Sequence, residues 1–329
     1  MKQKVLFLGC NTDQLPYLLS MQKLGFFVVA TDRNPQAPGV KLADKFYNVG
    51  YTDVEGLKQV AIAEKFTKED KIFTTAYHFA YEAASEVAEY LDIPYISRET
   101  VDICLNKFRF YEFLKNLDIP IPPTHLFDRL NFGKVDPAKI YYLKSDYGKS
   151  SRFCHRIVNG KTPPLPTTPD MFFRKVFLLQ EEVKGVHYRL NFYSGQVSVF
   201  LKFEGLTAVG LPSLGPEHKT ISEKLSKVIE LLGLTAYLVK FDLIINESGW
   251  YIIDIGLDPP FRLRLLCSYL GIDFEMAYTR HYLLNDWSAL PPWSKICKPI
   301  LMLGTAEAGF TFTELGDSIY ENSVNKCIR

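Results

Sequence analysis

The segments 239–245 (VKFDLII) and 250–255 (WYIIDI) constrain the fold more than any other stretch of this chain. Two apolar runs joined by Asn246, Glu247, Ser248 and Gly249 predict a β-hairpin. A four-residue loop sets Ile245 against Trp250, and opposed residues keep a nearly constant sum of numbers. Asp242 and Asp254 sum to one more than that pair, so they lie opposite each other or one position offset. Opposed side chains on one face have Cβ atoms about 5 Å apart. Two carboxylates that close repel unless a cation or a proton sits between them, and apolar surroundings add a desolvation cost. Magnesium takes oxygen ligands while keeping waters and substrate phosphates, and so answers both problems. The competing reading is that each aspartate faces solvent on the polar side of the hairpin.

At 329 residues the chain exceeds the usual size of a single core, so two or three packed units are expected. Hydrophobic residues make up 47% and charged residues 23%, ordinary for a soluble protein, and the formal net charge of +1 gives no global attraction for nucleic acid or anionic membrane. The cysteines at 10, 104, 154, 267, 297 and 327 form no Cys-x-x-Cys pair, which argues against a zinc knuckle or redox dithiol and for a reduced, cytoplasmic protein. The apolar stretch from Val5 to Leu8 is too short for a signal peptide, and no segment reaches the ~20 apolar residues that span a bilayer.

Residues 5–8 (VLFL) read as a buried strand ending at Gly9. Thr12 or Asp13 can cap a helix carrying Leu15, Leu18, Leu19 and Leu24, which Gly25 ends. Further strands are expected at Phe26 to Ala30 and Lys71 to Thr75, and a helix from Ala80 to Leu91. This alternation implies a parallel, doubly wound sheet over residues 1–96. Ser97 caps a short helix, and a longer one runs from Asn106 to Leu117. The proline-rich segment from Ile119 to Pro123 reads as a linker. Strands then dominate, at 139–144, 152–158, 176–183, 187–193 and 196–204, with a proline-rich surface loop from Thr162 to Pro169. Helical periodicity returns from Glu217 to Leu232, and two helices are expected around 260–285. The last forty residues have mixed character.

Tyr141 to Lys144 end a strand with a lysine, and the following loop from Ser145 to Arg152 contains Gly148, Lys149, Ser150 and Ser151. Such a loop can fold over a polyphosphate, donating hydrogen bonds while neutralising charge. It is not a P-loop, since it joins two strands and has one glycine. Lys107, at the start of a helix, is a second cation able to reach a nucleotide.

Lys144 with its serine-rich loop, then 179–187 (LQEEVKGVH), then the acidic pair Asp242 and Asp254, in that order, resemble the ATP-grasp superfamily. The likeness is greatest to its branch of carbamoyl phosphate synthetase, biotin carboxylase and amino-acid ligases. The resemblance implies an α/β chain with an N-terminal doubly wound pre-ATP-grasp domain followed by a two-lobed ATP-grasp α+β fold. The expected divisions are 1–96 for the first domain, 97–122 for connecting helices and linker, 123–186 for the small lobe, and 187–329 for the large lobe with a C-terminal extension. It implies that Lys107 and Lys144 bind the phosphates of ATP and that Gly148, Ser150, Ser151 and Arg152 close over them. Glu181, Glu182 and Val183 would hold the adenine, His187 the ribose, and Asp242 and Asp254 the Mg2+, with Mn2+ a substitute.

Two positions depart from the pattern. Where many members have Asn and Arg after the second carboxylate, this chain has Gly256 and Asp258. A third metal ligand and an arginine are therefore missing, for which Asp258 and either Arg262 or Arg264 could stand in. Asn11, Tyr77 and His78 are candidates for holding the acceptor. The implied reaction is ADP-forming carboxylate–amine ligation through an acylphosphate, on small-molecule substrates, by a protein compatible with a homodimer and with no nucleic-acid or membrane partner. Bicarbonate or a hydroxyl as acceptor is the nearest rival, a non-catalytic ATP-binding regulatory module the next. A dehydrogenase is third, because Gly9, Cys10, Asn11 and Thr12 lie at a strand-to-helix turn without the Gly-x-Gly-x-x-Gly signature.

Overall fold

The computed structural model describes residues 2–76, 78–127, 136–147, 154–161, 176–193, 196–204, 207–211, 218–286, 288, 298–305 and 309–314. Contacts divide the chain into two compact units. One comprises residues 1–101, 232–238 and 258–295, the other 102–231, 239–257 and 296–329.

The first unit is built on β1 (Lys4–Leu8), β2 (Phe27–Thr31), β3 (Lys45–Tyr47) and β4 (Lys71–Thr74), with α1 (Leu15–Lys23), α2 (Val54–Ala63) and α3 (His78–Leu91). The strands form one parallel sheet in the order β3-β2-β1-β4. Leu6, Leu8, Val29, Ile72, Leu57, Val60, Ala84 and Val87 bury together, which is why these strands read as continuous apolar runs. Thr12 and Asp13 do not cap α1 as expected. They lie in a short 3-10 turn, Thr12–Gln14, entered from an extended Asn11 whose N–H donates to the Gln14 side chain at 3.0 Å. Helix α4 (Arg98–Leu105) starts after Ser97, whose hydroxyl accepts from the Thr100 N–H at 3.1 Å. Helix α5 (Lys107–Lys115) follows and belongs to the second unit.

The second unit has two sheets. Strands β5 (Thr124–Leu126), β6 (Tyr141–Ser145), β7 (Cys154–Ile157) and β8 (Phe177–Glu181) form an antiparallel sheet in the order β5-β8-β6-β7. The larger sheet draws on β9 (Val186–Tyr193), β10 (Gln196–Glu204), β11 (Thr207–Leu211), β12 (Val239–Asn246), β13 (Gly249–Gly256), β14 (Ile300–Thr305) and β15 (Gly309–Glu314). Its order is β13-β12-β9-β10-β11-β14-β15. Helix α6 (His218–Leu231) packs on β10 through buried Ile221, Leu225, Val228 and Ile229, a helical spacing. Helices α7 (Phe261–Tyr269) and α8 (Phe274–Leu284) belong to the first unit.

The hairpin forms as expected, with one refinement. Asn246 pairs with Gly249, so the turn proper is Glu247 and Ser248, and Ile245 faces Trp250. The register then shifts between Asp242 and Leu243, leaving Ile253 as an extra residue, and Asp242 comes to face Asp254 directly. On the other face of the sheet Phe241 is fully buried. Phe110 of α5 stacks on it at 6.4 Å, and Phe192 meets it edge-on at 5.6 Å. Phe241→Ala is expected to cost about 3–5 kcal/mol, measured as a fall in the urea midpoint of unfolding.

Candidate active site

The register of β9, β12 and β13 sets polar side chains in rows on one sheet face. Arg189, Asp242 and Asp254 are mutually opposed in one row, and Asn191, Lys240 and Gly256 in the next. His187 and Ile244 form the row on the other side. The alternate residues Leu190, Phe241 and Leu243 are fully buried. Sequence reasoning found His187, Asp242 and Asp254 but missed Arg189, Lys240 and Asn191. Their signal was present as polar residues at every second position of two strands.

Asp242 is held from two sides. The Arg189 Nε and Nη2 donate to Oδ1 and Oδ2 at 2.8 Å each, and His187 Nε2 lies 3.1 Å from Oδ1. Burial alone would raise this carboxyl, but the Arg189 guanidinium and the hydrogen bonds override it and hold the group well below the usual carboxylate range. Asp254 is more open, its side chain 41% exposed against 12% for Asp242, and Lys107 Nζ lies 3.5 Å from it. Opposed carboxylates supply oxygen donors of the kind a hard divalent cation takes. Asp254 is thus the more accessible donor, while Asp242 already receives charge-assisted hydrogen bonds. No group of three or more His, Cys, Asp or Glu suited to a metal occurs among the described residues.

Lys144 is buried in β6. Its Nζ donates to Tyr111 Oη at 2.8 Å and Gln180 Oε1 at 2.7 Å, and Gln180 Nε2 donates onward to Thr124 Oγ1 at 2.8 Å. Desolvation pulls its pKa down to about 8, against the opposing effect of Asp254 and Cys154. Tyr111 donates its one hydroxyl proton to the carbonyl of Ile253, the bulge residue, at 2.7 Å. Asn106 caps α5 by accepting from the Arg109 N–H, and its Nδ2 donates to Asp146 at 3.0 Å. The Lys107 N–H donates to the Asp146 carbonyl at 2.7 Å. The two lysines are therefore tied to one local framework beside Asp254. Tyr111 and Gln180 carried no distinguishing signal in the sequence.

Glu181 pairs with Lys139 at 2.9 Å, and Glu182 with Arg156 at 2.7 Å. The N–H groups of Glu181 and Glu182 donate to Pro123 and Ile140, so these two amides are engaged within the chain. Val183 follows them, and His187 is two residues into the next strand from Gly185. Gly148, Ser150, Ser151, Arg152 and Tyr77 lie outside the described residues, as does the loop from Thr162 to Pro169. His78 opens α3. Asn11 is exposed at its turn. Asp258 is buried in the first unit, and Arg262 lies on α7. Arg264, also on α7, donates to Glu275 at 2.7 Å and lies 5.6 Å above the Tyr17 ring.

No protein-family model matches the sequence, and no curated protein does so. Solved structures do match. N5-carboxyaminoimidazole ribonucleotide synthetase from Thermotoga maritima is 17% identical, with a TM-score of 0.68 over 92% of this chain and 80% of that one. L-amino acid ligase from Bacillus licheniformis is 15% identical, with a TM-score of 0.67 over 92% and 79%. N5-carboxyaminoimidazole synthetase from Staphylococcus aureus, complexed with ADP, is 14% identical, with a TM-score of 0.71 over 100% and 98%. These are ATP-grasp proteins, and the chain has the ATP-grasp fold. No helix among the described residues is long and apolar enough to cross a membrane.

Because the folded Asp242 carboxyl is lowered, its contribution to stability is present in full above the ordinary carboxylate range and is lost progressively as pH falls from that range down through the lowered folded value. Removing only the partner, as Arg189→Met, is expected to cost about 3–5 kcal/mol at neutral pH. The variant's urea stability should also fall less steeply under acid than that of the unaltered protein.

Proposed function

We propose that this protein is an ATP-dependent carboxylate–amine ligase, ADP-forming and magnesium-dependent. The observation that supports it most is the grouping of Lys107 and buried Lys144 beside Asp254, itself opposed to Asp242, within the ATP-grasp fold. A polyphosphate needs fixed cations in a site poor in water, and a carboxylate pair at its edge to anchor its counter-ion. Lys107 and Lys144 bind phosphate oxygens. The segment Glu181 to Val183 lies along the base, with Val183 offering its backbone where the neighbouring amides are engaged, and His187 reaches the ribose.

Asp254 with Asp242 would hold the magnesium, which when bound would supply neutralising charge for the phosphates. The γ-phosphoryl moves to an oxygen of the acceptor carboxylate as its bond to ADP breaks, giving an acylphosphate. The lone pair of an amine then forms the new C–N bond at the carbonyl carbon, phosphate leaves, and the amine nitrogen loses a proton to solvent. Here positioning and electrostatics do the catalytic work, and no side-chain nucleophile is called for. The clamp of Arg189 on Asp242 favours one rival, a non-catalytic ATP-binding module. A screen of carboxylate and amine pairs for ADP release decides between them, since a module binds Mg-ATP without turnover on any pair.

With a productive pair found, Asp254→Asn should largely abolish ADP release while the melting curve stays close to that of the parent. Normal turnover would show the metal assignment to be wrong. Lys144→Ala should weaken ATP binding by about 1.5–3 kcal/mol, the worth of a charge-assisted hydrogen bond. The Lys144 ammonium titrates near pH 8 in the unliganded protein, and phosphate binding favours its charged form. Affinity for a non-hydrolysable ATP analogue should therefore fall as pH rises through about 8 and onward. Lys144→Arg should flatten that dependence, and a flat profile in the unaltered protein would rule the contact out.

A further inference from the structure

Gly256 stands directly opposite Lys240 across the β12–β13 ladder. A Cβ added there would lie 2.2 Å from Lys240 Cε and 3.1 and 3.2 Å from its Cγ and Cδ. The lysine side chain is thus laid across the glycine, and any larger residue at 256 would displace it. Gly256 has no positive φ, so its backbone does not demand glycine. What its missing side chain provides is room for Lys240.

The register fixes where on the site this lysine lies. Successive rows on the face are about 7 Å apart along the strands. They run from His187 and Ile244, through Arg189, Asp242 and Asp254, to Asn191, Lys240 and Gly256. The segment 181–183 precedes β9 and so lies at the His187 end. A nucleotide with its base at that end and its phosphates at the aspartates points its terminal phosphoryl group toward the third row. Lys240 shares the face of both aspartates.

We infer that Lys240 contacts the terminal phosphoryl group of the bound triphosphate, and that Gly256 is the residue that lets it do so. This rests on the nucleotide reading proposed above. Lys240 brings an ammonium to the row next to the two aspartates. Its charge is compact and suits a tetrahedral oxyanion, and it draws electron density from the phosphoryl oxygens as the bond to ADP breaks.

Calorimetric titration of the full chain with the magnesium complexes of AMPPNP, a non-hydrolysable ATP analogue, and of ADP tests the assignment. Lys240→Met should weaken AMPPNP binding about tenfold and leave ADP binding unchanged. Lys240→Arg should recover most of the loss. Gly256→Ala keeps the lysine but moves it, so it should show the same selective loss, and the double variant should be no weaker than Lys240→Met alone. Should Lys240→Met fail to fold, as judged by its melting curve, Lys240→Gln and Gly256→Ala carry the comparison. Equal losses for both nucleotides, or none, overturn the role of Lys240 and leave the nucleotide site standing. An unaltered protein that binds neither nucleotide overturns the nucleotide reading itself, and this inference with it.

Discussion

A carboxylate removed from water must have its charge answered by a partner in the fold, and for Asp242 that partner is Arg189. The two side chains sit opposite each other on β12 and β9, joined by two parallel hydrogen bonds. A slip of one residue between these strands would set Tyr188 or Leu190 against Asp242 and strand the charge in an apolar layer. The pair therefore helps to fix the register of the central strands, and the register orders everything else on that face. Asp254, Lys240, Gly256, Asn191 and His187 occupy their places because those strands cannot shift.

A second constraint acts on the smaller sheet. Lys144 is buried where hydration is poor, and its ammonium has found two oxygen acceptors, Tyr111 and Gln180. The tyrosine hydroxyl accepts from the lysine and spends its proton on the Ile253 carbonyl, so a single group links β6, α5 and the bulged strand β13. Because α5 is also bound at its cap to Asp146, the position of Lys107 follows from the same framework. This explains how two cations far apart in sequence from the carboxylate hairpin come to lie beside it.

Much of this was legible in the sequence where the signal is local. The hairpin, the lysine at the end of β6 and the alternating strands and helices of residues 1–96 follow from apolar runs and turn residues. The opposition of Asp242 and Asp254 was legible only to within one position. The bulge that settles it also involves Tyr111, whose hydroxyl comes from 142 residues away. Strands β3, β5, β11, β14 and β15 were not anticipated, being short or weakly patterned, and β14 and β15 gain their place by extending a sheet already formed. Gly256 could be read as a missing ligand but not as space for Lys240, since what fills the space is a neighbour across the ladder.

The extra residue at Ile253 also sets how this hairpin can change over evolutionary time. Residues gained or lost at Glu247 and Ser248 alter only the turn, because pairing resumes at Asn246 and Gly249. One residue lost between Gly249 and Asp254 has two very different outcomes. If the bulge absorbs it, the ladder becomes regular and Asp254 keeps its face. If the bulge persists, Ile255 moves into the place opposite Asp242 and an isoleucine meets the clamped carboxylate. The arm thus tolerates a single deletion by surrendering its irregularity, and a second would leave nothing to absorb it. Lineages of such a hairpin should drift freely in turn length and hold the count of residues from Trp250 to Asp254 nearly constant.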